Sequence, residues 1–104
     1  MKSKSTVYES SLELLKDIVK DVFKGESITV ILFGSRARGD YLETSDIDVG
    51  VFPKEKMDKG KIALFRERIE NSNIPYKVDV VDLSQASKEF IDQVLEEGLR
   101  IWKS

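Results

Sequence analysis

Apolar side chains at Tyr8, Leu12, Leu15, Ile18, Val19 and Val22 recur every three or four positions, which predicts an amphipathic helix over Val7 to Phe23. Ser10 and Glu13 have capping-box spacing near its start, and Gly25 closes it. The period then changes. Ile28-Thr29-Val30-Ile31-Leu32-Phe33 is a continuous apolar, β-branched run and predicts a buried strand that ends at Gly34-Ser35. Arg36 to Ser45 is polar and reads as a short helical turn followed by a loop. From Asp46 to Phe52 the chain alternates, with Ile47, Val49 and Val51 on one face and Asp46, Asp48 and Gly50 on the other, until Pro53 stops the strand. Lys59 to Ile69 is a second amphipathic helix on Ile62, Leu64, Phe65 and Ile69. After a turn at Asn71 to Pro75, Tyr76 to Leu83 forms a third strand. Ser84 to Glu97 is a third long helix built on Phe90, Ile91, Val94 and Leu95, with Gly98 at its C′ position. Leu99 to Trp102 is a candidate edge strand.

Helices alternating with strands in this way predict an α/β (α+β) sandwich: a mixed three- to four-stranded sheet with helices packed on one side. With 104 residues, one domain spanning 1–104 is the expectation. Charge narrows the functions. A net charge of −2 supplies no basic face for DNA or RNA, so a nucleic-acid partner is not expected. The absence of cysteine excludes disulfides and thiolate metal sites. The absence of histidine removes a Ser-His-Asp triad, the common zinc ligand and the usual neutral-pH base. Catalysis would have to run on carboxylates, Lys, Arg, Ser, Tyr and a hard metal ion. No apolar run is long enough to span a membrane, and no signal-peptide apolar region follows Met1-Lys2-Ser3-Lys4-Ser5, so a cytoplasmic residence is expected.

Strand alternation identifies the candidate chemistry. Asp46 and Asp48 project from one face, roughly 7 Å apart at Cα. Two like charges there gain nothing for folding, and a solvated strand face is the plain alternative. If Val78 and Val80 cover the same helices as Ile47, Val49 and Val51, then Asp79 points to the side of Asp46 and Asp48. Three convergent carboxylates suit Mg²⁺, which keeps places for water and phosphate. Asp82 points the other way and reads as a solvated residue or a helix cap. Gly34-Ser35 follows a strand directly, where backbone amides and a hydroxyl can hold phosphate oxygens; a tight turn is the alternative. Arg36 and Arg38 are candidates for offsetting phosphate charge, or else surface arginines paired to Asp40 or Glu43. Ser45 either orients Asp46 or closes a turn. Trp102 reads as core or edge packing before a nucleotide platform, and the Phe90 stripe as core or a partner surface.

Gly34-Ser35-Arg36-Ala37-Arg38-Gly39-Asp40, followed by Ser45-Asp46-Ile47-Asp48 and a later Asp79, resembles the signature of the polymerase-β-type nucleotidyltransferase superfamily. Within it the chain is most similar to the minimal nucleotidyltransferases, over Ile28 to Leu83 and more loosely through the helix ending at Glu96-Glu97-Gly98. The resemblance implies a nucleotidyltransferase-fold sandwich. It implies that Gly34 and Ser35 grip the β- and γ-phosphates of ATP or another nucleoside triphosphate, with Arg36 and Arg38 beside them. It also implies that Asp46, Asp48 and Asp79 hold two Mg²⁺ ions, Mn²⁺ being a substitute, and that Asp79 helps deprotonate the acceptor hydroxyl. Minimal nucleotidyltransferases are paired with helical HEPN-type proteins as antitoxins that modify a tyrosine of the toxin, so adenylylation of such a partner is the expected activity. The other reading is a non-catalytic antitoxin or regulatory module that neutralises its partner by binding. An oligomer is compatible with either.

Overall fold

The computed structural model describes residues 4–42 and 44–103. Helices α1 (Lys4–Val22), α2 (Ser35–Arg38), α3 (Gly60–Glu70) and α4 (Lys88–Glu97) interleave with strands β1 (Ile28–Phe33), β2 (Ile47–Pro53), β3 (Val78–Asp82) and β4 (Leu99–Lys103). The strands form one sheet in the order β3-β2-β1-β4. β1 runs antiparallel to both β2 and β4, whereas β2 and β3 are parallel, so the sheet is mixed as expected. The tail is an edge strand, with a register shift between Val30 and Ile31 where it meets β1.

Pleating sorts the side chains into two cores. On one face Val30 and Leu32 of β1, and Ile47, Val49 and Val51 of β2, pack against Leu15 and Val19 of α1 and Phe65 of α3. Phe23 meets Phe65 edge-on, with ring centroids 5.1 Å apart. Trp102 packs at the margin of this core, the structural role the sequence suggested for it. On the opposite face Ile31, Leu83 and Val94 form a second, smaller cluster with Phe33 and Phe90 around it. Helices are therefore not confined to one side: α1 and α3 make the expected layer, and α4 covers part of the other face.

The route of α4 to that face has a local cause. A 3₁₀ turn (Leu83–Gln85) leaves β3 and sets Leu83 over Gly50, where a Cβ would come within 2.7 Å of Leu83 Cδ1. Ser87 then caps α4, its Oγ accepting from the Phe90 amide at 3.1 Å, so the helix begins at Lys88, four residues later than the expected start at Ser84. Gly98 does not adopt the left-handed conformation expected at C′; its φ is −83°. It is glycine because a Cβ there would overlap Ile31 and the Val94 carbonyl, where the end of α4 runs against β1. At the other end of the chain, α1 begins at Lys4, so Ser10 and Glu13 lie inside the helix and form no capping box.

Candidate active site

β1 delivers its last residue, Phe33, opposite Asp48 of β2 in the antiparallel ladder. The next residue, Gly34, therefore turns beside the Asp48 carboxylate. Its φ of 78° and ψ of −157° lie in a region almost restricted to glycine, and a Cβ would overlap Asp48 Oδ2. Two requirements meet at this glycine: an unusual backbone conformation and contact with a carboxylate. The Gly34 carbonyl accepts from the amides of Ala37 and Arg38, winding Ser35 to Arg38 into α2 with Ser35 leading. Gly39, with φ 91°, ends that turn and donates to the Ser35 carbonyl at 2.9 Å.

The carboxylates come from two strands and one loop. Asp48 and Asp79 are direct partners across the parallel β2–β3 pair. Asp46 precedes the ladder, which begins at Ile47, one residue later than alternation indicated. Asp82 partners Val51 on the opposite face, and its Oδ1 accepts from the Ser84 amide at 3.0 Å and the Ser84 hydroxyl at 2.6 Å. It caps the 3₁₀ turn and takes no part in the cluster.

Electrostatics mark Asp48 as the centre. Burial pushes its carboxyl above the ordinary value, the charges of Asp79 and Asp46 push it further, and Arg38 opposes them. Because the folded value lies above the unfolded one, the folded chain binds more protons than the unfolded chain between the ordinary 3.8 and the raised value. Stability from this group is therefore lost as pH rises through that window, and the full penalty stands at neutral pH. With a chelator present, the difference in thermal midpoint between Asp48→Asn and the unmutated protein should widen from pH 4 to pH 7. A constant difference would remove the assigned cause.

The donor set fits a hard divalent cation, which takes carboxylate oxygens and keeps sites for phosphate and water. Among the described residues no three such side chains already converge on one point. The expected convergence of all three carboxylates is therefore not formed, but Mg²⁺ commonly takes only one or two from protein, a number that Asp48 and its neighbour Asp79 can supply. Beside Asp48 and Asp79 a groove of ≈ 890 Å³ follows the free edge of β3, lined by Phe33, Phe90, Tyr76, Lys77, Arg66 and Glu70 among others. Arg66 reaches from α3 to donate to the Val80 carbonyl at 2.9 Å. None of these six was singled out from the sequence for the site, because their only signal is proximity across the fold.

The two arginines separate. Arg38 is half-exposed and bridges Asp40 and Glu97, each at 3.3 Å, which ties the α2 turn to the end of α4. Its pairing with Asp40 is one of the alternatives the sequence offered; Glu43 lies outside the described residues. Arg36 corrects the expectation of a phosphate ligand. It is 5% exposed, its guanidinium lies 4.5, 4.4 and 4.8 Å from the rings of Tyr8, Tyr41 and Tyr76, and Nη2 donates to the Ser45 carbonyl at 3.1 Å. Its charge faces tyrosine rings inside the fold and is not presented to a bound phosphate. Ser45 closes a turn, its hydroxyl accepting from the Leu42 amide at 2.9 Å.

Residues 13–104 match the family described as Polymerase beta, Nucleotidyltransferase. A Methanocaldococcus jannaschii protein named "Putative protein adenylyltransferase" is 33% identical over 99 residues, spanning 86% of this chain and 97% of that one. A crystal structure of a toxin-antitoxin with AMP-PNP superposes with a TM-score of 0.71 at 26% identity, covering 89% of this chain and 73% of the other. The fold is also that of the MNT antitoxin of Shewanella oneidensis, solved in complex with tri-AMPylated HEPN toxin: TM-score 0.67, 23% identity, 92% and 72% of the two chains.

Proposed function

This chain belongs to the polymerase-β nucleotidyltransferase family, and we propose that it transfers AMP from ATP to a tyrosine of a HEPN-type partner, acting as an antitoxin in the cytoplasm. One observation carries the reading: Gly34, at the head of the α2 turn, lies against the carboxylate of Asp48, which is paired in register with Asp79. A triphosphate gripped at Gly34 and Ser35 would thus present its α-phosphorus to the carboxylates. The names carried by the relatives support adenylylation of a protein.

Two Mg²⁺ ions held by Asp46, Asp48 and Asp79 would screen phosphate charge and lower the pKa of the acceptor hydroxyl. Asp79 takes the proton of that hydroxyl, a role open to a carboxylate in a chain without histidine. The acceptor oxygen bonds to the α-phosphorus as the bridging oxygen towards the β-phosphorus leaves with pyrophosphate. The Gly34–Ser35 backbone and hydroxyl hold the departing oxygens. Arg38, near enough to Asp48 to oppose its raised pKa, contributes positive charge at the same corner. The groove along β3 opens directly onto Asp79 and gives the acceptor its approach.

The test incubates the protein with α-labelled ATP, Mg²⁺ and the candidate partner, with Asp46→Asn alongside. Label on the partner from the unmutated protein alone is the expected result. Equal neutralisation of the partner by both proteins, with no label transferred by either, favours a pure binder. The strand faces give a second prediction: Asp79→Asn loses transfer by about a hundredfold or more, on the scale of removing one preorganised group, while Asp82→Asn keeps it. The reverse order would overturn the assignment of the third carboxylate.

A further inference from the structure

Asp48 and Asp79 are fixed by the ladder that joins β2 to β3, but Asp46 stands in front of it. Its backbone is held from both sides. Behind it, the Ile47 amide donates to the Lys77 carbonyl at 2.9 Å. Ahead of it, the Ser45 carbonyl accepts from Arg36. Arg36 is seated by ring faces from three separate segments: Tyr8 on α1, Tyr41 in the loop and Tyr76 just before β3. Tyr8 and Tyr76 meet edge-on at 6.0 Å, and the buried Tyr8 hydroxyl has no hydrogen-bond partner among the described residues. Arg36 meets this cage through ring faces, an interaction that strengthens as water is excluded.

From this geometry we infer that Arg36 is a positioning residue: through the Ser45 carbonyl it sets Asp46 where it can bind metal together with Asp48. It touches neither nucleotide nor metal. The cage links α1 and the lead-in to β3 to the one carboxylate that the sheet does not place. Ser45 closes a turn on Leu42, its amide donating to the Leu42 carbonyl at 3.0 Å and its hydroxyl accepting from the Leu42 amide at 2.9 Å, and Arg36 ties that turn to the rest of the fold through the Ser45 carbonyl. Arginine suits the task because its flat guanidinium can stack on rings and donate in its plane at once, which lysine cannot do.

The inference rests on the metal-dependent reading above, so its test measures metal directly. Mn²⁺ affinity is followed by electron paramagnetic resonance in the presence of a non-hydrolysable ATP analogue, for the unmutated protein, Arg36→Met, Arg36→Lys and Tyr41→Leu. Val22→Ala, a core change remote from the loop, controls for lost stability. Arg36→Met should weaken Mn²⁺ binding about tenfold or more, as loss of an outer-shell support does. The Mg²⁺ concentration for half-maximal transfer should rise by the same factor, while KM for ATP at saturating Mg²⁺ changes far less. Arg36→Lys should recover part of the affinity. If Arg36→Met does not fold, Tyr41→Leu, at a position 40% exposed, keeps the arginine and opens one wall of its cage; weaker Mn²⁺ binding is again expected. Mn²⁺ affinity in the Arg36 and Tyr41 variants equal to that of Val22→Ala overturns the inference and leaves the functional reading intact. Failure of the unmutated protein to bind Mn²⁺ with the analogue overturns both.

Discussion

Asp48→Asn is expected to abolish adenylyl transfer while leaving the fold at least as stable as before. The two effects share one cause. Asp48 is partly buried, faces Asp79 across the β2–β3 pair and feels Asp46, so its negative charge is unfavourable in the folded chain. Asparagine keeps the shape and removes the charge. It therefore relieves repulsion and desolvation, and the thermal midpoint in chelator should stay level or rise. The same charge is what a divalent cation and the phosphates around it require, so transfer should fall by at least about 10²–10³-fold, the scale of losing one preorganised electrostatic group. Adding Mg²⁺ with an ATP analogue should raise the midpoint of the unmutated protein and not that of the variant. A variant that is markedly less stable at pH 7 contradicts the assigned repulsion. A variant that retains its rate removes Asp48 from the chemistry.

Gly34→Ala should be nearly as damaging to transfer, and for a different reason. Its φ of 78° and ψ of −157° cost an L-residue about 1–3 kcal/mol. In a chain of this size each 1 kcal/mol lowers the midpoint by about 4–8 °C. The added methyl also collides with Asp48 Oδ2, so relief requires moving either the phosphate turn or the carboxylate. Gly25→Ala separates the two effects. Gly25 has a comparable φ of 84° but open space around it, and it lies outside the site. Its variant should lose stability through backbone strain alone and keep its transfer rate. Gly34→Ala should lose transfer by a factor that its fraction of unfolded chain cannot explain. Equal specific activities in the two folded variants would show that contact with Asp48 is irrelevant.

A useful contrast lies between Arg36 and Arg38. Two arginines in one short polar segment beside a phosphate turn carry the same charge and the same local context, so sequence treats them alike. They differ because α2 is a single helical turn, on which residues two positions apart point about 200° away from each other. Arg36 turns into the space between α1 and the start of β3, where three tyrosines from positions 8, 41 and 76 meet. Arg38 turns to the rim, where Asp40 and Glu97 take it. No spacing rule joins positions 8, 41 and 76, so the cage could not be read in advance.

What the sequence determined by itself are the features set by local periodicity. A pleated strand has a period of two, so Asp48 had to leave the core face of Ile47, Val49 and Val51, and Asp79 and Asp82 had to part, whereas Asp46 lies ahead of the ladder and is not placed by it. A glycine and serine at the end of an apolar strand had to turn, and the long helices had to bury most of their stripes, although Leu64 and Leu95 stay exposed. Only the tertiary structure decided which partners those faces met. It made β2 and β3 parallel neighbours with Asp48 beside Asp79, pressed Gly34 onto that carboxylate, sent α4 to the second face and buried Arg36. Each of these depends on contacts between residues far apart in the chain. Their placement follows from packing the whole set of apolar faces at once, which no local window of the sequence contains.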